Sequence, residues 1–278
     1  MEQLQRPGTL RNLWIISRFE LVRLFQTPRG LMSIAAFAMI WYFILKEAIY
    51  RISQYVGIPG FRESARDFLG QGGFTNLLEW PVAEFTVFWL FSVLLFPIFT
   101  VLISSDQTSS DRSRGTMRFI TLRASRDSIF FGRFLGQLMI QALLLTGVLA
   151  ATFAMSLWTN SLNWAEALTS ALIMGVNLMI VVLPFTAMMA FFSASVRSSR
   201  LAIVLAILSM GATVGLIQLA AYHWWSKLDM LMYLIPGQQL IDLVQSNSWG
   251  TLKHAWLPIV QTIAFLLLGR TVIARSSL

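Results

Sequence analysis

The chain has 278 residues, a formal net charge of +8 and a sequence pI near 10.6; 56% of its residues are hydrophobic and only 12% are charged. Soluble domains carry about 25% charged residues, so this composition, with a mean hydropathy of +0.66, excludes an ordinary soluble enzyme or binding module. Cysteine is absent, which removes disulfides, thiol nucleophiles and thiolate metal sites from consideration.

Apolar runs of the length needed to cross a hydrocarbon core of about 30 Å recur along the chain, and no stretch between them is long enough to build a second, soluble core. Residues 1–29 hold Arg6, Arg11, Arg18, Arg23 and Arg29 with no uninterrupted apolar run between them, so they do not read as a signal peptide. Residues 10–27 instead read as an amphipathic interfacial helix, with Leu13, Ile16, Phe19 and Leu24 on an apolar side, Glu20 flanking Phe19, and Arg11, Arg18 and Arg23 on the charged side. Pro28 is expected to break that helix.

The first span is expected over residues 31–50, with Lys46 and Glu47 at its far end. A polar, glycine-rich loop over residues 51–80 follows, carrying Arg62, Glu63, Arg66, Asp67 and Glu79. The second span covers residues 81–103, with Pro81 in its first turn and a kink expected at Pro97. The third covers residues 128–158, longer than a bilayer requires, so its first turns with Arg133 are expected to project from the membrane. The fourth and fifth spans fall at residues 167–194 and 201–222, separated by the tight link "SVRSSR". Residues 223–254 are too polar to cross and too apolar for water, and they read as short outer helices that do not span. The sixth span covers residues 255–274.

Six crossings put both termini on one side. Fifteen of the 21 lysines and arginines fall on that side and six on the other, so the positive-inside rule assigns the termini to the cytoplasm. The same asymmetry explains the basic pI without a nucleic-acid partner. The densest charge lies in residues 109–127, "SSDRSRGTMRFITLRASRD", with five arginines in one short loop between the second and third spans. Gly115 can supply a bend, Thr116 an N-cap for the short helix "MRFITLR", and Ser125 a cap for the third span, with Asp127 in its first turn. Met117, Phe119, Ile120 and Leu122 give this helix an apolar face, rimmed by Arg118 and Arg123. An apolar centre with a charged rim is the anatomy of a docking surface; a helix lying on the membrane, its arginines serving topology alone, has the same pattern.

The succession of an N-terminal interfacial helix, six spans, and an acid followed by Arg-Gly-Thr, a short helix and Ser-Arg resembles the membrane subunit of an ABC-2 type (type V) ABC transporter. The matching residues are Asp111, Arg114, Gly115, Thr116, Phe119, Ile120, Ser125 and Arg126; Ser113 replaces a second acid, Thr121 adjoins the aliphatic pair, and Arg123-Ala124 replaces a proline region. "LIPGQQLIDLV" at residues 234–244 also resembles the segment before the family's last span.

The resemblance implies one all-α transmembrane domain over residues 1–278: an elbow helix at 10–27, six transmembrane helices, a coupling-helix loop at 109–123, and extracytoplasmic outer-leaflet helices at 223–254. It further implies that Asp111, Arg114, Gly115, Thr116, Met117, Phe119, Ile120 and Arg126 engage a separate ATPase subunit, with two ATPases serving a pair of permeases in a bacterial inner membrane. The expected role is ATP-driven export of an amphiphilic or lipid-like substrate.

No G-x-x-x-x-G-K-[ST] motif occurs, so the chain itself offers no P-loop for ATP, and no cofactor or metal is called for. Polar residues within spans are functional candidates, which marks Glu84, Gln141, Asn177 and Gln218 as a possible substrate path. Gly211 and Gly215 form a G-x-x-x-G that permits close helix approach. The alternatives are an ABC-type membrane subunit with a mechanical or signalling role and no solute, and an intramembrane lipid-modifying enzyme. His-Glu-x-x-His and clustered intramembrane carboxylates are both absent from the sequence, against the latter.

Overall fold

A threonine and a proline set the first corner. Thr27 accepts a hydrogen bond from the Gly30 amide at 3.1 Å and donates to the Arg23 carbonyl at 3.0 Å. It therefore ends one helix while capping the next, and Pro28 occupies the first turn of the second helix, where its missing N–H has no partner to lose. The chain folds back so sharply that a Cβ on Gly30 would stand 2.1 Å from the Leu24 carbonyl oxygen. Pro28 thus begins a helix as much as it ends one.

The computed structural model describes residues 9–56, 58, 60, 80–159, 164–223, 226–245 and 248–275. Helix α1 is Thr9–Gln26 and α2 is Pro28–Phe43; α2 continues through a π-helical stretch, Ile44–Tyr50, into α3, Arg51–Val56. Then come α4 (Ala83–Ile103), two short helices α5 (Ser109–Ser113) and α6 (Met117–Thr121), the long α7 (Arg126–Thr159), α8 (Trp164–Ser195) and α9 (Ser199–His223). Two 3-10 segments, Ser226–Leu234 and Ser248–His254, flank α10 (Leu240–Gln245) before the last helix α11, Trp256–Arg275. No strand is present among the described residues. Of the polar loop expected over residues 51–80, Arg51–Val56 instead continues the first span as helix, and residues 57, 59 and 61–79 lie outside the described residues.

Among the described residues, six helices are long and apolar enough to span a bilayer: Gly30–Val56, Ala83–Ser113, Arg126–Thr159, Trp164–Ser195, Ser199–His223 and Leu252–Arg275. The protein is an all-α polytopic membrane protein. The expected span order holds, with shifted ends. The second span starts at Ala83, so Pro81 precedes it, and the helix runs on through Pro97.

The fourth span is the axis of the bundle. Helix α8 packs on α4, α7, α9 and α11, and 67% of its most apolar stretch is buried, against 17% for the first span and 11% for the fifth. Its sequence explains the position: Ala187, Ala190, Ser193 and Ala194 are fully buried, and small side chains let neighbouring backbones close in. On α11, Gly269 does the same, since a Cβ there would come within 2.5 Å of the Phe130 ring and 3.3 Å of the Phe191 Cα. Phe37, Trp41, Phe88 and Phe96 join the first span to the second, with the Trp41 and Phe96 rings 5.3 Å apart. Met174, Met188 and Met189 are fully buried packing residues.

Helix α1 has a buried face that its expected apolar and charged sides do not account for. It lies along α7, and the face it buries is polar: Ser17 and Glu20 are inside, whereas Trp14, Ile15, Phe19 and Phe25 are exposed. The cause is on α7. Gly132 and Gly136 form a seat in which added Cβ atoms would stand 2.9 Å from the Ile16 Cβ and 2.8 Å from the Glu20 Cβ, and Ser17 donates to the Gly132 carbonyl at 2.9 Å. The G-x-x-x-G that packs within the chain is therefore this one. Around Gly211 and Gly215 there is nothing within 4 Å of an added Cβ.

Gly136→Val should lower stability by about 1–3 kcal/mol, the usual penalty for overpacking a close contact, whereas Gly211→Val should leave it unchanged. Thermal unfolding of the full-length chain in detergent measures both; equal shifts would show that α1 does not depend on the glycine seat.

Candidate functional site: the loop between the second and third spans

At the end of the bundle nearest the loop, three spans are bolted together by neutral hydrogen bonds. The Gln107 amide donates to the Thr186 carbonyl at 3.0 Å. Gln141 donates to Ser104 Oγ at 2.9 Å while its oxygen accepts from Thr186 Oγ1 at 3.0 Å. Ser193 Oγ accepts from the backbone amides of Thr108 and Ser109 at 2.9 and 3.1 Å. These groups are buried within the protein, where polar atoms need partners, so their pairing fixes the register of α4, α7 and α8.

A buried charge cluster lies over these bonds. Arg133 is 5% exposed and Glu20 4%; Arg133 Nη1 donates to Glu20 Oε1 at 2.8 Å, and Nη2 donates to Asp111 Oδ2. Arg23 extends the cluster, 3.6 Å from Glu20 and 3.9 Å from Asp106. Asp106 in turn accepts from the Ser109 hydroxyl at 3.0 Å and from the Ser110 amide and hydroxyl at 3.0 and 2.7 Å, which starts α5. The cluster joins α1, the loop and α7. Arg133, expected in the first turns of the third span, turns inward against the protein, where two carboxylates meet it.

The loop's arginines divide between two tasks. Arg112 donates to the Ala194 carbonyl in the last turn of α8, and Arg126 donates to the carbonyls of Ile273 and Ala274, at 3.1 and 2.8 Å, in the last turn of α11. Cations suit helix C-termini because the final carbonyls are unpaired and the dipole is negative there. Arg270 reinforces the second contact through both its Nε and Nη2 to Asp127, at 3.1 and 2.8 Å. By contrast Arg114, Arg118 and Arg123 are exposed, as are Phe119 (72%) and Leu122 (82%).

Local sequence chemistry explains most of the loop's shape. Gly115 has φ +70°, the left-handed conformation that a Cβ disfavours. Ser125 caps α7, accepting from the Ser128 amide at 3.1 Å. Thr116 occupies the N-cap position of α6 without a capping bond; its hydroxyl donates to the Asp111 carboxylate at 3.1 Å and the Asp111 carbonyl at 3.3 Å instead. Met117 is buried and Ile120 half-buried, so the outward apolar face consists of Phe119 and Leu122.

The four residues read as a substrate path have different surroundings. Gln141 is committed to Ser104 and Thr186, as described. Asn177 is 3% exposed with an amide nitrogen lacking a hydrogen-bond partner, and Glu84 is 6% exposed in the first turn of α4. Gln218 is exposed on α9. Sequence reasoning missed Glu20 and Arg133 as a pair, and Asp106 and Arg112 as anchors. The available signal was an arginine inside an apolar helix between two glycines spaced four apart, which marks a close, polar helix contact.

The fold defines a polytopic membrane subunit in which a charged loop is fastened to several spans. A family model described as ABC-2 family transporter protein matches residues 17–269. The chain belongs to that family and is a permease of an ABC transporter, a membrane subunit that partners with an ABC ATPase. No curated protein matches the chain.

Arg133→Met should destabilise the chain by about 3–5 kcal/mol, because it strands two buried carboxylates. Glu20→Gln should be milder, since Arg133 keeps Asp111. Thermal unfolding of the two full-length variants in detergent tests this order, and a smaller shift for Arg133→Met than for Glu20→Gln would refute the cluster's central role for Arg133.

Proposed function

We propose that this permease couples ATP hydrolysis by a separate ATPase subunit to export of an amphiphilic or lipid-like substrate, with the loop at residues 109–123 as its coupling element. The observation that carries the reading is the two-sidedness of that loop. Its underside is tied to α1, α7 and α8, and its continuation at Arg126 to α11, while its outer side offers Phe119 and Leu122 among Arg114, Arg118 and Arg123. A push on the outer side passes into helices without crossing a flexible joint. Asp111, Thr116 and Met117 serve from beneath, by holding the loop on the body; Gly115 sets the angle of α6.

In this reading both termini are cytoplasmic, and the protein sits in a bacterial inner membrane. Two ATPase subunits serve two permeases, the second being another copy or a related chain. The short segments between Ser226 and His254 lie in the outer leaflet, and α1 lies at the inner interface with Trp14, Phe19 and Phe25 toward lipid. The interior polar groups described above are mostly neutral, which favours an amphiphile over a small ion.

Phe119→Asp combined with Leu122→Asp should leave the thermal midpoint unchanged and abolish co-purification of the ATPase, since a carboxylate buried unpaired in a docking cleft costs about 3–5 kcal/mol. Ile120 is a poorer choice, being half-buried already. Gly115→Val meets no steric neighbour but strains the backbone, so it should keep the ATPase bound while lowering transport per ATP. Co-purification and normal transport in all these variants would reduce the loop to a topological anchor.

Sidedness has its own test. A reporter inserted near residue 115 should read as cytoplasmic, and one near residue 230 as extracytoplasmic; the opposite pattern would invert the arrangement.

A further inference from the structure

We propose that the groove where α7 begins and α11 ends binds the phosphate of an anionic phospholipid. The groove has a volume of about 660 Å³, and its polar lining comprises Ser125, Arg126, Asp127, Arg270 and Thr271. Two guanidinium groups against one carboxylate make that lining net positive. Arg270 holds Asp127 yet its side chain remains 53% exposed, with Asp127 43% exposed, so both are open to a ligand. Of the two hydroxyls, Thr271 already donates to the Leu268 carbonyl at 2.8 Å, whereas Ser125, paired with Ser128 at 2.8 Å, can turn its O–H to a phosphate oxygen while Ser128 donates to it.

Depth points to a lipid as the source of the phosphate. Helix α11 has 20 residues and, at about 1.5 Å per residue, matches the roughly 30 Å hydrocarbon core. Arg270 lies five residues before its end, a distance that an arginine stem spans by snorkelling to the headgroup layer. On the same face of α11, one and two turns deeper, Leu267 and Ile263 are 54% and 53% exposed. The stripe Ile263, Leu267, Arg270 is therefore apolar and then cationic along one line, the order in which a phospholipid presents its acyl chain and its phosphate. Basic pockets between membrane helices are known sites for anionic headgroups. Occupancy would brace the junction at which the loop enters the third span, beside the Arg126 contacts to the end of α11.

The test uses the full-length chain in detergent, titrated separately with phosphatidylglycerol, phosphatidylcholine and inorganic phosphate, with native mass spectrometry reading retention of the two lipids and isothermal calorimetry reading phosphate. Phosphatidylglycerol should be retained in preference to phosphatidylcholine. Arg270→Gln should weaken that retention about fivefold or more, the effect of one interfacial arginine, and leave phosphatidylcholine unchanged. Asp127→Asn removes the competing carboxylate and should tighten retention, an outcome that a merely structural ion pair would not produce. Leu267→Trp, which narrows the groove without touching its charge, should weaken retention and carries the test with Asp127→Asn if Arg270→Gln does not fold. Retention indifferent to all three substitutions overturns the proposal. So does Arg270-dependent binding of inorganic phosphate without a preference for phosphatidylglycerol, which would make the groove a site for a free anion.

Discussion

Arg133 between Glu20 and Asp111 is the contact on which the arrangement of this protein turns. A guanidinium that is 95% enclosed is tolerable only with its charge matched and most of its N–H groups occupied. Each partner comes from a different part of the chain, one from the helix before the first span and one from the loop after the second. Satisfying one side chain therefore fixes three elements at once. Arg23 and Asp106 widen the cluster, and Asp106 starts the helix that presents Asp111. The glycines at 132 and 136 are part of the same constraint, since without them α1 could not come near enough for Glu20 to reach.

The density of charge in the loop follows from the number of ends that meet there. Spans four and six finish on this side with unpaired carbonyls, and Arg112 and Arg126 reach them. The remaining arginines of the loop rim an outward apolar pair. A loop that only oriented the chain in the membrane would need the positive charges but not their division into inward caps and an outward rim, nor a positive-φ glycine between the two groups. That division is the physical basis for reading the loop as a transmitter in an ABC-2 family permease.

Elements governed by local chemistry were legible from the sequence. Six apolar runs became six candidate spans; Gly115 adopts the left-handed conformation, and Ser125 caps the helix it was expected to cap. What escaped depends on partners far along the chain. Thr116 looked like a cap because its neighbours in sequence allow it, but its backbone is itself helical rather than extended, and its hydroxyl turns to donate to Asp111. Helix α1 reads as an interfacial helix with an apolar and a charged side, and the sequence does not show that Ser17 and Glu20 form its buried face. In a membrane the outward face is also apolar, so hydrophobicity does not distinguish the two sides and the small and charged residues decide. The same spacing, G-x-x-x-G, occurs twice and seats a helix of this chain only once. Glutamines expected to line a path prove to be of several kinds: Gln141 ties three spans together, whereas Gln218 stands on the surface of α9.

Glu20 and Arg133 are 113 residues apart, and a ribosome delivers them in that order. When Glu20 emerges, its counter-charge does not yet exist, and two spans must be threaded into the bilayer before it does. Through that interval α1 has no seat, because the glycines that make one belong to α7. The first helix is thus made well before it can be placed, and its docking reports that the third span has arrived. A chain truncated before residue 133 would carry every residue of the loop's outer face, including Phe119 and Leu122, and lack the guanidinium that holds the loop on the body.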